Sequence, residues 1–212
     1  MTNPLHRVRH ALIQKGGATN LARIVGQIAW DRLFSLGYGA WLRLYGVSLG
    51  RGCHLRGFVR IVGDPRRVTI GDGCSLHTGV MFWTHDYDAG HGAIVLGNRV
   101  TCLRGVTFNS YARIEVSNDT AFGDGCYVQD NDHGTEPGTP VMRQPTYGSP
   151  IAIGEDVWFG ARCIVLKGVS VGDHTVVGAG SVVVKSLPPD SVAVGVPCRV
   201  VKPRGASRLR AA

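Results

Sequence analysis

Three histidines stand in polar, Gly- and Asp-rich stretches: His85 and His91 in FWTHDYDAGHGA (82–93), and His133 in QDNDHGTEPGTPVMRQPTYGSP (129–150). A neutral imidazole, with an ordinary pKa near ~6.5, suits the removal of a proton from a weakly acidic group at neutral pH, or the binding of a metal ion. No activated cysteine or serine motif accompanies them. The six cysteines (53, 74, 102, 126, 163 and 198) contain no CxxC pair, which argues against structural zinc and redox dithiols. Reduced thiols fit a cytosolic setting.

Side chains of this kind need a rigid frame, and the composition says what kind. Hydrophobic residues make up 44% of the 212 residues and charged residues 18%, as in a globular chain. Thirty glycines lie far above the usual share of about 7%, with no Gly-X-Y period, so many tight corners are expected. The net charge is +8, with basic clusters near both ends. Such ends could serve nucleic acid, anionic lipid or phosphorylated ligands, but no nucleic-acid motif accompanies them. Met1–Lys15 does not read as a signal peptide. The longest uncharged stretch near the start, Leu33 to Leu42, is too short to cross a bilayer.

The frame is a repeat of six. From Ile153 the chain reads IGEDVW, FGARCI, VLKGVS, VGDHTV, VGAGSV, VVKSLP, with an aliphatic or aromatic residue at 153, 159, 165, 171, 177 and 183. A small or β-branched residue usually follows four places later, and glycine often follows the first position. The same register recurs at Leu49, Leu55, Ile61; at Ile70, Leu76, Phe82; at Leu96, Cys102, Phe108, Ile114; and at Val116, Phe122, Val128. Period six fits neither an amphipathic helix nor an ordinary strand. It fits a triangular coil of three hexads whose stacked turns bury a continuous core, with glycine tolerating unusual backbone at the corners.

A solenoid admits insertions only as loops thrown out of a corner, so 82–93 and 129–150 are expected to be such loops, and long loops on rigid scaffolds tend to carry function. Ahead of the coils, Thr19-Asn20 is expected to cap a helix from about Leu21, with Leu21, Ile24, Val25 and Ile28 on one face. Trp30, Phe34, Tyr38 and Trp41 follow, interleaved with Arg23, Arg32 and Arg43. This arm either packs on the end of the coil or lies on an anionic membrane. The expected organisation is a basic helical arm (1–45), a β-helix (46–202) and a disordered basic tail (203–212).

The stretch VTFNSYARIEVSNDTAFGDGCYVQDNDHG (106–134), followed by PIAIGEDVWFGARCIVLKGVSVGDHTVVGAGSVVVKSLPPDSVAVGVPCRVV, resembles the hexapeptide-repeat O-acetyltransferases. The likeness is greatest to those modifying capsule, O-antigen and exopolysaccharide sugars, with galactoside and nodulation-factor acetyltransferases as relatives. It covers roughly Leu49 to Lys202 and is loosest over the first 45 residues. The resemblance implies a left-handed parallel β-helix, acetyl-CoA as co-substrate and no metal. It implies His133 as the base that deprotonates a sugar hydroxyl, with Asp130, Asp132 or Glu136 as candidates to orient its ring. Many relatives carry a second histidine where this chain has Asn131. The backbone amide of Ala161 is implied as the oxyanion donor. Trp158, Ala161, Ala179, Val184, Lys185, Arg199 and Lys202 are implied as the CoA groove, and Asn109 and His85 as acceptor contacts. A homotrimer is implied as well, because these elements sit on different corners of the coil.

Direct transfer to a sugar or polysaccharide-precursor hydroxyl, in the cytoplasm or at the inner face of the membrane, is therefore the expected function. An N-acyltransferase for an amino sugar is the nearest alternative. A metalloenzyme like the hexapeptide carbonic anhydrases, using His85, His91 and His133, and a non-catalytic scaffold are the remote ones.

Overall fold

A computed structural model of the chain describes residues 17–86 and 90–205, without the side chains of 17–24. Its body is a left-handed parallel β-helix with three flat faces, as the hexads require. The first face stacks strands 48–49, 68–70, 93–96, 113–116, 151–153 and 170–171. The second stacks 54–56, 75–77, 101–102, 121–122, 158–159, 176–177 and 191–194, and ends in 199–203. The third stacks 60–62, 81–84, 107–110, 127–129, 164–165 and 182–183. Within the three faces all pairings are parallel except the last of the second, where Arg199–Pro203 runs antiparallel to Ser191–Val194.

Register follows the repeat. Leu49, Ile70, Leu96, Val116, Ile153 and Val171 form one column, so successive coils are 21, 26, 20, 37 and 18 residues long. The excess over 18 is confined to corners, and the 26- and 37-residue coils hold the two insertions. The first is shorter than the expected 82–93, because 82–84 complete the strand Met81–Thr84, with Phe82 in the core, and Ala93 opens the next strand. After Phe108 the hexad register slips by two. Ile114 pairs with Ile94, and Val116 takes the place opposite Leu96. Both are buried, so the slip costs the core nothing.

The inward residues fill the coil. Phe82 stacks on Phe108, Phe108 meets Phe122 edge-on across the interior, and Phe122 stacks on Phe159. All four are fully buried, each contributing roughly 1.5–3 kcal/mol of apolar transfer. Small corner residues are often thiols. The Sγ of Cys53, Cys74, Cys126 and Cys163 each donates to a glycine carbonyl of the next coil.

The glycines after the first hexad position have a different purpose from the expected one. Gly71 does not adopt positive φ. It is needed because a Cβ there would lie 2.5 Å from Gly97 O of the next coil. The left-handed backbone sits two residues further on, held by Gly73 (φ +68°) in one coil and by Arg99 and Asp119 in the following two.

Within the described residues the arm is one helix, α1 (Gly17–Tyr45), so Thr19 and Asn20 lie within helical turns and do not cap them; 1–16 lie outside the described residues. One face packs on the first coil and satisfies its open edge. Ser35 Oγ accepts from Leu55 N–H (2.9 Å), with its own proton between Asp31 O (2.7 Å) and Leu55 O (3.1 Å). Tyr38 Oη donates to Val59 O, and Arg43 donates to Leu49 O and Gly50 O. Residues 206–212, most of the expected tail, lie outside the described residues.

Candidate active site

The second insertion leaves the third face after Gln129 and returns at Ile151. Its base is a short antiparallel hairpin, Asn131–His133 against Thr146–Gly148. Asp130 anchors it. This carboxylate is fully buried and accepts from Ser110 Oγ (2.8 Å), Tyr111 N–H (2.6 Å) and Ala112 N–H (3.0 Å). The Asp130 carbonyl accepts from Ser149 N–H, which ties both hairpin strands to one point on the coil.

Along the hairpin, Asn131 and His133 share one side and Asp132 takes the other, by the alternation of a strand. His133 is half-buried, and its Nδ1 lies 3.4 Å from Thr146 Oγ1, the residue paired with it. None of the three acidic candidates holds the ring. Asp130 is occupied at the hairpin base, and Asp132 bonds Lys167 Nζ. Glu136 lies beyond the paired strands, where Gln144 Oε1 takes its N–H. Thr146 is the partner, and no spacing rule in the sequence could single it out. In the tautomer with the proton on Nδ1, that N–H donates to Thr146 Oγ1 and Nε2 is left with the lone pair that a base needs.

Asn131 links this hairpin to the acceptor residues expected on the third face. Its Nδ2 lies 3.3 Å from Asn109 Oδ1, which also lies 2.6 Å from His85 Nε2. Asn109 Nδ2 donates to Tyr127 Oη at 2.9 Å. His85 and Asn109 are both buried, so the outermost ring of this cluster is Trp83, which sits 4.8 Å from the His85 ring and is 37% exposed. Trp83, Tyr127 and Lys167 were not singled out from sequence. Trp83 and Asn109 are partners in register, a signal visible only once the 26-residue coil is recognised. Among the described residues no group of three or more His, Cys, Asp or Glu side chains could hold a metal ion, so His85, His91 and His133 do not form a ligand set.

Ala161 lies on another corner, between the second and third faces, and is exposed. At the corner between the first and second faces, four coils cap the one before them. Asp72 accepts from Arg51 N–H, Asn98 from Asp72 N–H, Asn118 from Asn98 N–H and Asp173 from Glu155 N–H. Asp124 does the same for Arg104 N–H at the Ala161 corner. Below Ala161 the capping position is held by Ala179, whose methyl side chain offers no acceptor. The Ala161 carbonyl bonds Gly180 N–H, while its own N–H has no partner among the described residues. It is an unpaired backbone donor on an exposed residue.

The remaining predicted residues divide between two places. Trp158, 57% exposed, belongs to an outward row on the second face that runs on through Val176 and Val192 to Lys202, three rungs of about 4.8 Å. Arg199 lies on the same terminal strand. Val184 and Lys185 follow the last strand of the third face, on the corner that carries the hairpin. Within one chain, His133, Asn109 and His85 thus gather on one edge of the third face, and Ala161 and Ala179 on the other.

The fold and repeat define a hexapeptide-repeat protein of the left-handed β-helix class, and the chain is similar to the O-acetyltransferases built on it. Residues 150–185 match a family model described as the hexapeptide repeat of succinyl-transferase. A protein of Mycobacterium tuberculosis named as a probable acetyltransferase is 36% identical over 128 residues, 58% of this chain and 43% of that protein. The galactoside O-acetyltransferase of Escherichia coli is 52% identical over 56 residues, 26% of this chain and 28% of the enzyme. The chain therefore spans under half the length of these curated relatives. Among solved structures, AntD, an N-acyltransferase from Bacillus cereus in complex with dTDP and 3-hydroxybutyryl-CoA, superposes with a TM-score of 0.67 at 20% identity, over 78% of this chain and 88% of that one. That likeness is one of fold.

Proposed function

We propose that the protein is an acetyl-CoA-dependent O-acetyltransferase acting on a sugar hydroxyl, with its site completed between the subunits of a trimer. The observation that carries this reading is the pairing of two prepared groups: an imidazole oriented by Thr146 on an anchored hairpin, and the uncapped N–H of Ala161. They lie on different corners, so a neighbouring subunit's corner must close the site. Threefold symmetry then gives three equal sites.

In this reading His133 Nε2 takes the hydroxyl proton as the oxygen attacks the thioester carbonyl. The new C–O bond forms a tetrahedral oxyanion that Ala161 N–H stabilises, a contribution of about 3 kcal/mol for such a donor. Collapse breaks the C–S bond, and the imidazolium returns the proton to the leaving thiolate. Trp158 would wall the pantetheine, while Lys185, Arg199 and Lys202 supply cations for the phosphates. Asn109 and the His85 network would face the acceptor. The six free thiols support a reducing compartment such as the cytosol.

Incubation with labelled acetyl-CoA and a panel of glycans, followed by mapping of the product, tests the proposal. An acetyl ester on a sugar, absent with His133→Ala, supports it. An amide on an amino sugar would assign the chain to N-acyl transfer, and turnover undiminished in His133→Ala would overturn the role of the base.

A further inference from the structure

We propose that α1 is an interfacial anchor that lays the protein on an anionic lipid bilayer. The helix has two apolar faces. Phe34, Tyr38 and Leu42 pack on the first coil, and the opposite face carries Trp30, Leu33, Leu36, Trp41 and Leu44 into solvent. Leu36 and Leu44 are 72% and 88% exposed, and no charged residue interrupts the stripe. On the neighbouring coil Phe58, 69% exposed, extends the surface through a shallow depression that it lines with Tyr38, Trp41, Val59 and Arg60. A contiguous apolar surface of this size marks a contact with something else.

Charge identifies the partner. The first 63 residues hold nine Lys and Arg against one acidic residue, Asp31, while residues 64–212 hold fourteen of each. The entire net charge of +8 therefore belongs to the arm and the first coil, and the cations nearest the C-terminal end are balanced by carboxylates elsewhere in the body. Arg32 on the helix and Arg51, Arg56 and Arg60 on the first coil are exposed, and Arg60 borders the depression beside Trp41 and Phe58. An apolar helix face bearing two tryptophans at the basic end of the molecule matches the headgroup boundary of an anionic leaflet. A second copy of the chain fits less well, because pairing two such surfaces brings like charges together. None of the described helices is long and apolar enough to cross a membrane, so α1 would lie along the surface. At 1.5 Å per residue its 29 residues extend about 43 Å.

The test uses the full chain with vesicles of phosphatidylcholine alone or with about 30 mol % phosphatidylglycerol. Expected results are sedimentation with the anionic vesicles at least about tenfold stronger than with neutral ones, and a blue shift of tryptophan emission on binding. Affinity should fall by about tenfold or more as salt rises from about 50 mM to about 500 mM. The variants Leu36→Glu and Leu44→Glu should lose binding with unchanged circular dichroism, since both side chains are solvent-facing. Equal binding to both vesicles, or unaltered binding by both variants, would overturn the proposal. So would a drop in oligomer mass on sedimentation equilibrium of either variant, which would assign the stripe to a contact between copies.

Discussion

Ala179 occupies, one coil below Ala161, the position from which Asp124 caps Arg104 N–H on the same corner, and which Asn98 and Asp173 hold on the neighbouring corner. The missing side chain at 179 is what leaves the Ala161 amide unpaired. Ala179→Asn restores a cap of the kind used on the neighbouring corner. The expected result is a fall in kcat of about 10²–10³-fold, the usual loss for one oxyanion donor, with stability unchanged or raised by about 1 kcal/mol. Steady-state kinetics and thermal unfolding check this. A rise in KM for acetyl-CoA with kcat intact would show steric crowding and remove Ala161 from the mechanism.

His133→Ala should lower kcat by about 10²–10⁴-fold with little change in unfolding, because the half-buried ring is not part of the core. Thr146→Val keeps the shape and removes the Nδ1 partner. It should cost on the order of tenfold in kcat through loss of ring orientation, with KM for both substrates near that of the parent. Full activity in Thr146→Val would leave the ring's orientation to some other group.

Asp130→Asn tests the anchor of the hairpin. An amide NH2 would face the Tyr111 and Ala112 N–H donors, or leave one of them unmet. The expected loss is roughly 2–4 kcal/mol in denaturant unfolding. Limited proteolysis should cut within 131–150 faster than in the parent while the coil core resists.

Asn109→Leu removes the acceptor shared by His85 Nε2 and Asn131 Nδ2 and the donor to Tyr127 Oη. With all of these groups in or beside a buried cluster, a loss of roughly 1–3 kcal/mol is expected. If Asn109 positions the hairpin as well as itself, a double-mutant cycle with Asn131→Ala will show coupling of about 0.5 kcal/mol or more; strict additivity would mean that the contact carries nothing.

The coil was legible because its physics is one-dimensional: a single inward position every six residues, visible from Leu49 to Val183. Both insertions were legible as failures of that count. The direction of the Asp130 carboxylate was not, since the groups it binds, Ser110 to Ala112, lie about 20 residues earlier and meet it only after the coil closes. The hairpin itself was also hidden, because Asn131–His133 and Thr146–Gly148 carry no alternating apolar pattern. The glycines misled for a related reason. Contact between coils, and not the dihedral angle, demands Gly71, and that contact exists only between residues 26 positions apart. For the site, His133 and Ala161 came from resemblance. The free amide at Ala161 could have been read from the column Arg104, Asp124, Ala161, Ala179, where only Asp124 offers a side-chain acceptor, once the register of successive coils was known.

A parallel β-helix has no intrinsic length, since each turn templates the next and an exposed terminal turn offers the same rungs to any other molecule. The side chains of Ser35, Tyr38 and Arg43, bonded to the backbone of the first turn, end that propagation on one side. On the other, Arg199–Pro203 reverses direction and breaks the template on the second face. The helix that seals the coil is thus also what keeps a fibre-forming architecture finite, and chains lacking it would be expected to join end to end into filaments.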